Sequence, residues 1–139
     1  VLLVAYSGGY HPAAHAAKLG NANKRLLGMI LLDAPYGDEP LLAEWVTRRQ
    51  GSAFFVSAHG GAARESNQLL KQELTKRDVA YNTTLPPELR AGTVTLVDYG
   101  DDMDHMNFVT EAWTRDPLAD LLSRIPGFTR SNIGIAENR

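Results

Sequence analysis

The feature that most limits how this chain can fold is a pair of apolar runs with no polar alternation. Residues 1–6 (Val-Leu-Leu-Val-Ala-Tyr) and 26–32 (Leu-Leu-Gly-Met-Ile-Leu-Leu) offer no wet side, so as strands they must be covered on both faces. Two further strand-like runs follow at 52–58 (Ser-Ala-Phe-Phe-Val-Ser-Ala) and 93–99 (Thr-Val-Thr-Leu-Val-Asp-Tyr). Helical stretches of ten or more residues separate such strands, which requires right-handed crossovers and a mostly parallel sheet between helical layers, a three-layer αβα fold. The ligand site of such a sheet lies beyond the C-terminal ends of its strands. Ser7, Asp33, His59 and His105 all map to that edge.

The helices are set by their end signals. Pro12 suits a first turn, Ala13, Ala14, Ala16, Ala17 and Leu19 continue it, and Gly20 with Asn21 stops it. Asp38 reads as the cap of a second helix, with Pro40 in its first turn and Leu41, Leu42, Trp45 and Val46 on one apolar side. A third helix carries Leu69, Leu70 and Leu74 among Glu65, Lys71, Glu73 and Lys76. A polar connection over 79–92 is expected to hold a short extended piece at 79–83. Pro117 starts a last helix through Ile125, stopped by Pro126 and Gly127. Residues 1–127 then form one domain, and 128–139 read as a loosely held tail.

Composition narrows the function. With 139 residues, 44% hydrophobic and 22% charged, the chain is large enough to bury roughly two thirds of its unfolded surface. A net charge of -2 provides no basic field for nucleic acid or anionic lipid. The absence of cysteine excludes disulfides, a thiolate nucleophile and cysteine-bound metal, and leaves cytoplasmic and periplasmic locations equally open. No apolar run reaches the roughly 20 residues that span a bilayer. The chain opens directly on strand residues, and a strand buried on both faces needs neighbours on both edges. The fold is therefore expected to be incomplete at its N-terminus, with further strands supplied by an upstream segment or a companion chain.

The chemistry is carried by Ser7-Gly8-Gly9 between the first strand and the first helix. A serine on such a turn has helix N–H groups beside it, able to hold negative charge that develops near its oxygen. It becomes a nucleophile only if a base takes its proton and an acid steadies the imidazolium that results. Ala5-Tyr6-Ser7-Gly8-Gly9 resembles the Gly-x-Ser-x-Gly nucleophile elbow of the α/β hydrolases, with Ala5 in place of the first glycine, and an acid and then a histidine follow in that family's chain order. The resemblance covers most of the chain, as the family's C-terminal half. It implies a serine hydrolase acting on a carboxylic ester through an acyl-enzyme, with no cofactor. Ser7 would be the nucleophile, His105 the base, and the Gly8 N–H one oxyanion donor, the second coming from a loop far earlier in the family's chain.

The acid stays open. The family's usual loop, here 59–65, holds only Glu65, whereas a minority arrangement places the acid at Asp33, and the aspartates near His105 are further candidates. His59 competes as base or serves as a pocket wall, together with Tyr6, Tyr10, His11 and Tyr36. His11 and His15 share a helix face. Asp98, Asp101, Asp102 and Asp104 could be read as hard-cation ligands, but they lack the glycine spacing of a calcium loop, so no metal is expected. Two other functions fit the same residues: a non-catalytic hydrolase-like binding or scaffold domain, and a phosphate binder using the Ser-Gly-Gly turn.

Overall fold

A computed structural model describes residues 1–20 and 23–129. It has four strands, β1 (Leu2–Tyr6), β2 (Gly28–Leu32), β3 (Phe54–His59) and β4 (Val94–Asp98), and four helices, α1 (Tyr10–Leu19), α2 (Glu39–Arg49), α3 (Arg64–Lys76) and α4 (Pro117–Ser123). The strands form one parallel sheet in the order β1-β2-β3-β4. The fold is thus α/β: the right-handed crossovers put α1, α2 and α3 on one face of the sheet, and α4, which follows β4, lies on the other. The expected extended piece at 79–83 is present as a single parallel bridge from Asn82 to Thr95 on the outer side of β4. Among the described residues no helix is long and apolar enough to cross a membrane. Most of the expected tail, 130–139, lies outside the described residues.

Two apolar clusters sit on the two sheet faces. Ala5, Met29, Leu31, Phe55 and Leu96 meet Ala14 and Ala17 of α1, Leu42, Ala43, Trp45 and Val46 of α2, and Leu70 and Leu74 of α3. On the other face Ile30, Leu32, Phe54, Val56 and Val97 pack against Leu89, Phe108, Leu121 and Ile125. The small side chains of α1 let it lie close to the sheet.

Among the described residues β1 pairs on one side, with β2, and Leu2 and Leu3 are partly exposed and Val4 is 43% exposed. The second face is covered by α4 and loops, which meet Leu2 and Tyr6 of β1, while Val4 between them stays exposed. β2 and β3 are buried at every position. α4 also ends earlier than expected, at Ser123, although Ile125 still reaches the core.

The interior of β2 contains a glycine for a packing reason. A Cβ at Gly28 would stand 2.4 Å from the buried ring of Phe54, its register partner on β3. Gly28→Ala is therefore expected to cost about 1–3 kcal/mol, as other overpacked cores do. The urea midpoint should fall with the slope of the transition unchanged; an unaltered midpoint would show that the ring can move aside.

Candidate functional site

The sheet register assembles the site. Tyr6 pairs with Leu32, Leu32 with Ala58, and Ala58 with Val97. The next residue on each strand is Ser7, Asp33, His59 and Asp98, so four polar side chains stand in one row across the C-terminal edge, on strands spaced about 4.8 Å apart. Two of them, Ser7 and Asp33, have left-handed backbone, with φ of +53° and +45°. Such a conformation costs a residue with a Cβ roughly 1–2 kcal/mol and persists only where its surroundings enforce it.

At Ser7 the chain turns from extended Tyr6 (φ -116°, ψ 136°) into a 3-10 turn over Ser7–Gly9. The N–H of Tyr10 folds back on the carbonyls of Ser7 and Gly8, and α1 starts at once. A Cβ at Gly9 would rest 3.7 Å from that of Ala5, so a small residue at position 5 suits the turn. Gly8 faces open space.

Asp33 is 2% exposed, and a buried carboxylate needs donors. The Gly60 N–H donates to Oδ1 at 2.9 Å, the Tyr36 hydroxyl donates to Oδ2 at 3.3 Å, and Nδ1 of His105 meets Oδ2 directly. Burial, and then the charge of Asp33, push the Tyr36 hydroxyl up to about 12, so it remains a donor to the carboxylate across the neutral range. The loop bearing Asp33 is fixed from below by Asn67 of α3. Its Nδ2 donates to the carbonyls of Ala34 and Ala63, both at 2.9 Å, and its Oδ1 accepts from the Ser57 hydroxyl at 2.6 Å. Asn67 is fully buried and was not apparent as a site residue in the sequence, where a single amide inside an amphipathic helix carries no signal.

His105 opens a 3-10 turn, His105–Val109, anchored by the fully buried Phe108. Asp104 and Asn107 cap the turn reciprocally, the Asp104 N–H donating to Asn107 Oδ1 at 2.8 Å. Tyr6 stacks on the His105 ring with centroids 4.6 Å apart, and its hydroxyl reaches Sδ of Met106 at 3.4 Å. The residue before Ser7 therefore touches the ring that Asp33 holds through Nδ1. The opposite ring nitrogen, Nε2, has no hydrogen-bond partner among the described residues.

The other acids are engaged elsewhere. Arg64 pairs with Asp98 at 2.6 Å and Asp101 at 2.7 Å, and its hydrogen bond holds the Asp98 carboxyl down at about 2. Glu65 is exposed in the first turn of α3. It lines a groove of about 250 Å³ with Tyr36, Glu39, Ala62, Ser66 and Leu69. Tyr36 thus joins this groove to Asp33.

Of the expected pocket residues, Tyr10 stands 6.3 Å from Tyr36 by ring centroids. His11 is exposed and turned to Asp38, at 2.5 Å. That contact explains why Asp38 precedes α2 without capping it: its backbone is left-handed (φ +60°) and its side chain is drawn to His11. His59 is 1% exposed, with Nδ1 donating to the Gly60 carbonyl at 3.1 Å and Nε2 unpartnered among the described residues. Burial lowers its pKa. Below about pH 6.5 the unfolded chain then binds a proton that folded His59 refuses, so stability falls as pH drops from that value and is insensitive to this group above it. Urea midpoints at about pH 7.5 and pH 5.5 should converge in His59→Gln relative to the wild type; an equal pH dependence in both would refute this origin.

Comparison of the chain with family models, with curated proteins and with solved structures finds no match.

Proposed function

We propose that the chain is a serine hydrolase of the α/β-hydrolase kind, acting on a carboxylic ester through Ser7, His105 and Asp33. The observation that carries this reading is the direct contact of the Asp33 carboxylate with Nδ1 of His105, on the sheet edge where Ser7 forms a left-handed turn. A strained serine between a strand and a helix is what a nucleophile elbow requires, because that backbone lifts Oγ clear of the turn.

In this reading Asp33 fixes the histidine as the tautomer with hydrogen on Nδ1, which leaves the Nε2 lone pair to take the Ser7 proton as Oγ attacks the ester carbonyl. The imidazolium formed is stabilised by the same carboxylate. The Gly8 N–H donates to the developing oxyanion, and collapse of the tetrahedral intermediate expels the alcohol with the proton returned from Nε2. Water, activated by the same nitrogen, then releases the acid from Ser7. Tyr36 keeps Asp33 oriented by its hydrogen bond, and Tyr6 supports the face of the ring.

The test is reaction with a fluorophosphonate followed by peptide mass spectrometry. Modification is expected on Ser7, and slower in His105→Ala. A folded protein that stays unlabelled at Ser7, or is labelled equally fast without His105, would overturn the assignment and favour a binding or scaffold role for this edge.

A further inference from the structure

Beside this edge lies a second cluster that the proposed hydrolysis does not use. His11 and His15 are one turn apart on α1, and their rings stand 4.5 Å apart by centroid at a tilt of 55°. Asp38, in the turn before α2, reaches His11 Nδ1 with Oδ2 at 2.5 Å. One nitrogen from each histidine and one oxygen of Asp38 all lie within 4.8 Å of one another.

We propose that His11, His15 and Asp38 form a binding site for a zinc-like divalent cation. A tetrahedral ion with ligand bonds of about 2.0–2.1 Å holds its ligand atoms about 3.3 Å apart. In the structure these atoms lie up to 4.8 Å apart, with His11 Nδ1 and Asp38 Oδ2 at 2.5 Å, so the side chains must turn to take the ion; the His11 side chain is 62% exposed and that of Asp38 25%, which leaves them room. Two neutral imidazoles and one carboxylate suit zinc, nickel or copper; magnesium and calcium prefer sites built of oxygen. Three protein ligands leave the remaining position to water. Binding displaces the proton now shared between His11 Nδ1 and Asp38 Oδ2, so the cation takes the place of their hydrogen bond.

The site ties together two segments that carry the row of polar residues. His11 follows Ser7 by one helical turn, and Asp38 lies in the same loop as Asp33. A bound ion therefore staples the start of α1 to the β2–α2 loop and stabilises the folded state by an amount that grows with the logarithm of its concentration above Kd.

The experiment is calorimetric titration of the chelator-treated full chain with zinc chloride, with magnesium chloride as a parallel titrant. One zinc per chain is expected, weakened about tenfold or more in His15→Ala and in Asp38→Asn, with no comparable uptake of magnesium. His11→Ala serves as a third variant should either of these fail to fold. Zinc-edge X-ray absorption of the loaded protein should show two imidazole ligands. Absence of saturable zinc binding, equal affinity in the folded variants, or equal binding of magnesium would each overturn the site.

Discussion

Ser7→Ala is expected to lower kcat/KM for ester hydrolysis by about 10⁴- to 10⁶-fold, the range seen when a triad nucleophile is removed and only binding and oxyanion stabilisation remain. The effect should fall on kcat, with KM for the ester little changed, because the hydroxyl adds nothing to ground-state binding that a methyl group loses. A companion substitution separates chemistry from folding. Ser7 sits at φ +53°, where a glycine is unstrained, so Ser7→Gly should be as inactive as Ser7→Ala and yet more stable by up to about 1 kcal/mol. Steady-state kinetics and urea midpoints on both variants check this. Retention of more than a tenth of the wild-type rate in either variant would remove Ser7 from the reaction. Inactivity with no stability gain in Ser7→Gly would mean that the turn stores no strain.

The second large effect is expected at Asp33. Asp33→Asn keeps the shape of the side chain and an oxygen for the Gly60 N–H, which now donates to Oδ1 at 2.9 Å. It replaces the oxygen facing His105 with an amide donor. The imidazole must then accept at Nδ1 and carry its hydrogen on Nε2, the nitrogen that would have taken the Ser7 proton. The expected loss is about 10⁴-fold in kcat, with fluorophosphonate labelling of Ser7 slowed in parallel. Because the carboxylate is 2% exposed, Asp33→Ala would leave the Gly60 N–H and the Tyr36 hydroxyl without an acceptor, and its lower activity would mix chemistry with folding. The asparagine variant keeps the acceptor for the Gly60 N–H, and the Tyr36 hydroxyl can accept from its amide in place of donating. A loss below tenfold in a well-folded Asp33→Asn would reduce Asp33 to a structural acceptor for the loop at Gly60.

The two substitutions probe positions of different legibility. Ser7 could be picked out from its neighbours alone, since an apolar run followed by Ser-Gly-Gly and a helix signal leaves few backbone paths. Asp33 could only be placed at a strand end, one of several carboxylates with a claim on His105. What separates it from Glu65 and the loop aspartates is the engagement of each side chain in three dimensions. Arg64 takes Asp98 and Asp101, Asp104 caps its own turn, and Glu65 lies exposed on α3, while Asp33 is the acid that the His105 ring meets.

Other features depended on contacts between distant segments. Asp38 has the residue type and position of a helix cap, but a histidine 27 residues earlier competes for its carboxylate and wins. Asn67 looks like an ordinary polar residue of an amphipathic helix until the Ala34 carbonyl and Ser57 are brought beneath it.

By itself the sequence determined the element types, the parallel sheet and the edge at which its polar residues gather, because apolar periodicity and crossover length are local properties with few chain paths compatible with them. The tertiary structure alone decided that Asp33 is the carboxylate in contact with His105, that Asn67 braces the loop at Ala34, and that His11, His15 and Asp38 converge. Each of those outcomes is a competition among side chains far apart in the chain, settled by geometry that exists only once the strands are in register.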